Sequence, residues 1–303
     1  MIKSYSMMIH GGAGELDHVH KQKDTLPYLE SMRDILEHGR KILKQGGSAL
    51  DAVETCASLL EDNLLFNAGR GSVLNAEGKV EMDAAIMDGF NLNAGAVAGI
   101  TRIANPVELA RLVLEKSDHV MLIGKGAMHF ARQHGFKTVS EKYLITDKRR
   151  EEYKKLCAGT HKDKEHSHGT IGAVAWDKRG NLAAATSTGG MVYKQPGRIG
   201  DTPVIGAGVY ADNKTCAVSA TGHGEMFMRT VLAKHIADLV EFKKLDVSSA
   251  AKRGIDYLQQ KVNGQGGVIV IDRYGYCSGY FNTRTMIHGW TERGGKTHCK
   301  IRK

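Results

Sequence analysis

Short apolar runs joined in pairs by tight polar turns constrain this chain most. Ile171–Trp176 and Leu182–Thr186 flank the turn Asp177-Lys178-Arg179-Gly180. Pro203–Tyr210 and Thr215–Ala220 make a second pair. Val268–Ile271 and Tyr276–Phe281, around Tyr274-Gly275, close the chain. Val73-Leu74 and Val80–Met87, around Glu77-Gly78, read as a further hairpin, and residues 5–9 as a strand entering the glycine turn 10–14. Such runs, bounded by turn residues, read as strands, and short connections make neighbours antiparallel. Helical patterns surround them. Leu29, Met32, Ile35, Leu36, Ile42 and Leu43 recur at helical spacing before Gly46-Gly47. Ser48 is placed as an N-cap, with Asp51 at N3, for a helix through Leu60. Asn105-Pro106 opens another helix. HVMLIG reads as a short strand before a helix from Lys125 to His134; further helices run from Glu225 to Glu241 and from near Ser248. Sheets and amphipathic helices each need a covering layer. The order predicts an α+β fold, with two mainly antiparallel sheets sandwiched between two helix layers.

The formal net charge of +9 raises the question of a nucleic-acid partner. The excess is spread over residues 147–168 and the tail TERGGKTHCKIRK, and no basic helix or aromatic-interleaved basic stripe occurs, so no nucleic-acid partner is expected. Cys56, Cys157, Cys216, Cys277 and Cys299 are odd in number and contain no CxxC pair, which argues for a reducing compartment. No run is long enough to cross a bilayer and no secretory segment is evident, so no membrane partner and a cytoplasmic location are expected. The tract DKRREEYKKLCAGTHKDKEHSH, residues 147–168, carries both charge signs and almost no aliphatic residue after Leu156; it reads as a flexible linker. Its Cys157, His161, His166 and His168 match no metal-site spacing.

Other motifs fail on context. Gly206-Ala207-Gly208-Val209-Tyr210-Ala211 lacks the helix that a dinucleotide fingerprint needs. Gly295-Lys296-Thr297 is misspaced from Gly289 for a P-loop, and Ser249-Ala250-Ala251-Lys252 has no SDN or KTG companion.

Gly169-Thr170 is different. It joins the polar tract to an apolar strand. A threonine hydroxyl is a weak nucleophile that needs an adjacent base. Breaking the bond before Thr170 supplies one, because a free α-amine titrates near about 7.7–8.0 and is partly neutral at physiological pH. The β-methyl restricts χ1, and Gly169 tolerates conformations that expose the scissile carbonyl. The pair predicts a self-cleavage site, with a 1–169 segment (α) and a 170–303 segment (β) from one domain. Arg198 and Asp201, three residues apart in a glycine turn, carry the opposite charges an α-amino acid head group requires.

Several long blocks carry a resemblance over nearly the whole chain: IHGGAG at 9–14, FNAGRGSVLNAEGKVEMDAAIMDG at 66–89, AGAVAGI at 94–100, HGTIGAVAWD at 168–177, NLAAATSTGG at 181–190, PGRIGDTPVIGAG at 196–208 and ATGHGE at 220–225. Together they resemble the plant-type asparaginases, or isoaspartyl peptidases, of the N-terminal nucleophile hydrolases. The resemblance implies the four-layer αββα sandwich, autocatalytic cleavage before Thr170, and hydrolysis of L-asparagine and β-aspartyl dipeptides. It implies Thr170 as nucleophile, Thr188 as the hydroxyl that tunes it, and Thr221 with Gly222 as oxyanion hole. Arg198 and Asp201 would hold the substrate head group within Arg198-Ile199-Gly200-Asp201, with Thr221-Gly222-His223-Gly224 completing the substrate site. Asn67 would support the nucleophile, and Gly11 and Gly12 would form a loop near the cleavage site. It further implies a dimer of α–β protomers and no required cofactor beyond a structural sodium ion on the backbone carbonyls of Leu60, Glu61, Asn63, Phe66, Ala68 and Arg70. Arg284 in FNTRTM and the basic tail depart from the family pattern. Two alternatives remain: a glycosylasparaginase-like hydrolase, against which Gly169 stands where that family carries aspartate, and an uncleaved relative serving as a binding or structural protein.

Overall fold

A computed structural model describes residues 4–14, 22–159 and 169–302. The chain begins with β1 (Ser6–Gly14), α1 (Gln22–Lys44) and α2 (Ala49–Asp62). Then come β2 (Met82–Asp88), β3 (Ala94–Ile100), α3 (Pro106–Lys116), β4 (Met121–Ile123), α4 (Gly124–Gln133), α5 (Glu141–Leu144) and α6 (Asp147–Cys157). After residue 169 come β5 (Ile171–Trp176), β6 (Leu182–Thr188), β7 (Val209–Ala211) and β8 (Cys216–Gly222). The helices α7 (Gly224–Thr230), α8 (Leu232–Lys243) and α9 (Val247–Val262) lead to β9 (Gly266–Asp272), β10 (Cys277–Phe281), β11 (Thr285–Thr291) and β12 (Thr297–Lys300).

One sheet has the strand order β12-β11-β1-β5-β6-β2-β3-β4, the other β10-β9-β8-β7. Every pairing is antiparallel except β3 with β4. Strand side chains alternate between faces, and here both faces are buried, which is why the runs read as continuously apolar. Ile171, Ala173 and Ala175 of β5 pack among residues of α1, α2 and α3, whereas Val174 and Trp176 point to the other sheet. In β9, Ile269 and Ile271 face the first sheet, and Val268 and Val270 pack with Leu232, Ile236, Ile255 and Leu258 of α8 and α9. Three apolar interfaces therefore separate four layers, the αββα arrangement anticipated above.

Ser48 caps α2 as the pattern predicts, its side chain accepting a hydrogen bond from the Asp51 N–H. Pro106 opens α3, but Asn105 does not cap it; buried Glu61 accepts the Val107 N–H instead, at 2.9 Å. β1 runs through the glycines to Gly14, with a bulge between His10 and Ala13, and does not stop at residue 9. Residues 73–81 form no strand, because the Asn75 side chain gathers the N–H groups of Glu77 and Lys79 into a turn. The hairpin is β2 with β3, the latter made of the small residues 94–100. Gly95 must be small there, because a Cβ would collide with the Ala110 carbonyl of α3. The second predicted pair shrinks to β7 with β8. The helix over 225–241 is two helices, broken at left-handed Val231 (φ 47°). The first N–H groups of α8 turn away to the loop before β7: Ala233 donates to Ala207 and Lys234 to Gly206. β10 does not end the fold, since β11 and β12 follow and β11 pairs with β1.

The tract 147–168 is not a linker throughout. Its first half is α6, capped by the Thr146 hydroxyl. Arg149 is buried against the body of the protein, donating from Nε to the Gly71 carbonyl at 2.7 Å and from Nη1 to Glu152 at 2.8 Å. Charge density hid one anchoring arginine. His161, His166 and His168 lie outside the described residues. Removing Arg149 leaves the Gly71 carbonyl without its donor, a loss of about 1–3 kcal/mol for a buried acceptor. Arg149→Ala should therefore lower the thermal midpoint and speed proteolysis within 147–157; an unchanged midpoint would mean that α6 is not anchored.

Candidate active site

Thr170 sits immediately before β5 and Thr188 ends β6. Ile171 and Ser187 are cross-strand partners, so the two threonines meet across the ladder end. The buried Thr170 hydroxyl donates to Thr188 Oγ1 at 3.3 Å, and Thr188 Oγ1 also accepts the Gly190 N–H at 2.9 Å. Asn67 ties the surrounding loops together. Its side chain donates to the Gly190 carbonyl at 2.7 Å and accepts from the Val73 N–H at 2.9 Å, while its own carbonyl accepts the Gly189 N–H. A Cβ on Gly189 would fall 2.5 Å from Asn67 Oδ1, so only glycine allows this approach.

A narrow cleft of ≈ 10 Å³ lies over Thr170 and is lined by Gly169, Thr188, Arg198, Asp201 and Gly222, among others. Gly200 and Gly224 also border it, together with Met191 and Thr202, which the sequence did not single out. Ile199 and His223 do not line it. Thr221 is buried beside it at the end of β8, its Oγ1 accepting the Ala13 N–H at 3.2 Å. Gly11 and Gly12 lie in the β1 bulge, where a Cβ on Gly11 would strike the Phe66 ring.

Glu225 was missed by the sequence reading, although it ends the quoted block ATGHGE. Arg198 binds it through both prongs of the fork, Nε to Oε1 at 2.8 Å and Nη2 to Oε2 at 2.6 Å. His223 Nε2 lies 3.2 Å from the same carboxylate. Burial works to raise the Glu225 pKa, but the hydrogen bonds and charge of Arg198 outweigh it and hold the carboxylate below its ordinary value. Asp201 goes the other way. Burial pushes its carboxyl up to about 7; its backbone N–H and Arg198 oppose this, and Glu225 and Asp83 add to it. Its Oδ2 has no hydrogen-bond partner. A Cβ on Gly224 would lie 2.8 Å from Asp201 Oδ1 and 3.1 Å from Arg198 Nη2, so that glycine lets the two groups converge. The cleft thus offers a hydroxyl, the guanidinium edge that Glu225 leaves open, and a buried acid with one oxygen unpartnered.

Among the described residues no three His, Cys, Asp or Glu side chains cluster as a metal site. The loop after α2 has different donors. The carbonyls of Leu60, Glu61 and Asn63 each accept one backbone N–H, from Asn63, Arg70 and Phe66, and each keeps a second lone pair. Glu61 itself is fully buried, its carboxyl pushed well up by burial, with no partner for Oε2. The spare carbonyl lone pairs are of the oxygen type that a hard cation takes.

A sequence model of the family described as Asparaginase matches residues 3–301. A Danio rerio protein named isoaspartyl peptidase/L-asparaginase is 45% identical over 291 residues, which cover 95% of this chain and 92% of that protein. An Escherichia coli isoaspartyl peptidase is 44% identical over 299 residues, 94% of this chain and 92% of the relative. A Rattus norvegicus isoaspartyl peptidase/L-asparaginase is 48% identical over 275 residues, 90% and 81% respectively.

Asp201 carries a linkage that stability measurements can read. Its folded pKa lies above its unfolded value of about 3.9, so the fold holds an extra proton between about pH 4 and pH 7 and loses stability as pH rises through that window. Asp201→Asn removes the term. The variant should be more heat-stable than the parent at pH 8, by at most roughly 4 kcal/mol, and should gain nothing at pH 4. Calorimetry showing equal stability at both pH values would contradict the raised carboxyl.

Proposed function

The chain belongs to the asparaginase family, and on that premise we propose that it is a threonine-type N-terminal nucleophile hydrolase that splits itself before Thr170 and then cleaves L-asparagine and β-aspartyl peptides. The observation that carries this reading is the Thr170–Thr188 hydroxyl contact on the floor of a cleft that also holds Arg198 and Asp201.

In the precursor, the Thr170 hydroxyl attacks the Gly169 carbonyl. The acyl group shifts from nitrogen to oxygen, and water opens the ester. The freed α-amine, neutral in part near pH 7, then takes the hydroxyl proton. The oxygen attacks the side-chain carbonyl of asparagine, or the β-linked peptide carbonyl of an isoaspartyl dipeptide. The Thr221 hydroxyl and the Gly222 N–H receive the developing oxyanion, and Thr170 ammonium protonates the departing ammonia or amino acid. Water releases aspartate from the β-aspartyl ester.

Arg198 supplies the fork for the substrate α-carboxylate. Its Nε and Nη2 are held by Glu225, which fixes the plane of the guanidinium and leaves the Nη1 edge for the ligand. Asp201 receives the α-ammonium at its unpartnered oxygen. Asn67 holds the loops that cradle Thr188, Gly189 and Gly190. A sodium ion on the carbonyls of Leu60, Glu61, Asn63, Phe66, Ala68 and Arg70 would brace the turn leading into Asn67. The proposal extends to a dimer of α–β protomers in the cytoplasm, and the five free cysteines support a reducing compartment.

Thr170→Ala should abolish both splitting and turnover, read on a denaturing gel with N-terminal sequencing and by hydrolysis of a β-aspartyl dipeptide. A Thr170→Ala chain that still splits at 169–170 would overturn the assignment. Hydrolysis of glycosylated asparagine in preference to both other substrates would instead select the glycosylasparaginase reading. Asp201 sets a pH limit of its own. Below pH 7 its carboxyl is protonated before substrate arrives, so KM should rise toward about tenfold per pH unit. A KM that stays flat from pH 5 to pH 7 would exclude Asp201 as the ammonium site.

A further inference from the structure

A second row of polar side chains lies beneath the cleft, and the proposed chemistry leaves it unused. His10 of β1 and Thr186 of β6 are both cross-strand partners of Gly172 in β5, and all three are buried. Gly172 has no side chain, and the opposite sheet fills the gap with Ser219 of β8. Ser219 Oγ lies 2.9 Å from His10 Nε2 and 2.7 Å from Thr186 Oγ1. A Cβ at 172 would collide with Ser219 Oγ and fall 2.6 Å from His10 Nε2, so the row requires glycine there.

Thr186 Oγ1 also lies 3.2 Å from the Gly208 carbonyl, to which it can donate. Ser219 and Thr186 share a hydrogen between their hydroxyls, and His10 Nε2 meets Ser219 as donor or acceptor according to its tautomer. The ring also has the Thr170 backbone as a hydrogen-bond partner, a direct link from the row to the residue above it. Burial holds the His10 pKa down at about 3, although the neighbouring Thr170 backbone works to raise it. The ring is therefore neutral at working pH and serves as neither acid nor base.

Strand alternation puts this row one step from the cleft. Thr186 precedes Thr188 by two residues, Ser219 precedes Thr221 by two, and Gly172 follows Thr170 by two, so each pair shares a strand face. We infer that His10, Ser219 and Thr186 are positioning residues for Thr170: the row clamps β1, β5, β6 and β8 together and so sets the distance from the Thr170 hydroxyl to Thr188 and to the Thr221–Gly222 end of β8. Apolar side chains would fill the same space but would let the sheets slide, whereas a satisfied buried hydrogen-bond row has one geometry. The inference rests on Thr170 being the nucleophile.

The test compares Ser219→Ala, Thr186→Val, Thr186→Ser and His10→Gln in the full chain. It reads the rate of self-splitting, kcat and KM on a β-aspartyl dipeptide, and the thermal midpoint. Ser219→Ala and Thr186→Val should each lose about 10- to 100-fold in splitting rate and kcat, with KM changed less than about twofold, since a misplacement near 1 Å costs about that much. Thr186→Ser keeps the hydroxyl and should recover most of both rates. Nitrogen-15 NMR of the wild-type chain should show His10 neutral from pH 5 to pH 9. Variants that lose only thermal stability, a Thr186→Ser as slow as Thr186→Val, or a His10 ring that is charged at pH 7 would each overturn the inference. Competent wild-type protein with unaffected variants refutes the inference alone; wild-type protein that neither splits nor hydrolyses refutes the proposed function and the inference with it.

Discussion

Ile171 and Ser187 are ladder partners, and through them Thr170 and Thr188 come to face each other at 3.3 Å. Most of what the site does depends on that register. A slip of one residue would turn Thr170 toward the helix layer, because side chains alternate between faces. The register is heavily defended. On one face of β5, Ile171, Ala173 and Ala175 pack against the helices; on the other, Val174 and Trp176 fill the space between the sheets. Both faces would lose apolar contact in any other alignment. The strand pairing therefore fixes Thr170 before any polar contact is made.

Electrostatics then divides the cleft. Arg198 is satisfied by Glu225, whereas Asp201 is buried with one oxygen unpartnered. Burying a carboxylate is costly, and that burial outweighs the nearby Arg198 charge and holds Asp201 near the middle of its titration at neutral pH. A zwitterionic ligand relieves that cost by bringing its own ammonium, while its carboxylate meets a guanidinium already held in plane. On the proposed reading, selection for an α-amino acid head group follows from this asymmetry more than from any single contact. Gly224 is necessary to it, since a Cβ there would intrude on both Asp201 and Arg198.

The layered architecture was legible in the sequence because its strands and helices announce themselves by apolar period and by punctuation: Ser48 ahead of α2, Pro106 at the start of α3, Asp177–Gly180 between β5 and β6. Thr170, Thr188, Arg198 and Asp201 were legible as parts of contiguous motif blocks. Features set by contacts distant in sequence were not. α6 looked like a solvated tract because its anchor, Arg149, is one arginine among many charges. The break at Val231 depends on the carbonyls of Gly206 and Ala207 capturing the first turn of α8. β12 was hidden in the basic tail, and β11, just before it, is recognisable as a strand only once β1 is beside it. The Arg198–Glu225 fork and the His10–Ser219–Thr186 row join residues that no local pattern connects.

The central claim is that the Thr170 oxygen forms and releases an ester with the substrate while its own nitrogen, freed from Gly169, carries the proton. Rapid acid quench during turnover of a β-aspartyl dipeptide, followed by mass spectrometry of the separated fragments, tests it most directly. The account predicts a fragment beginning at Thr170 that carries one aspartyl group on that first residue and loses it as substrate is exhausted. Full turnover by a chain whose 169–170 peptide bond is intact, or an aspartyl adduct on any other side chain, would contradict it.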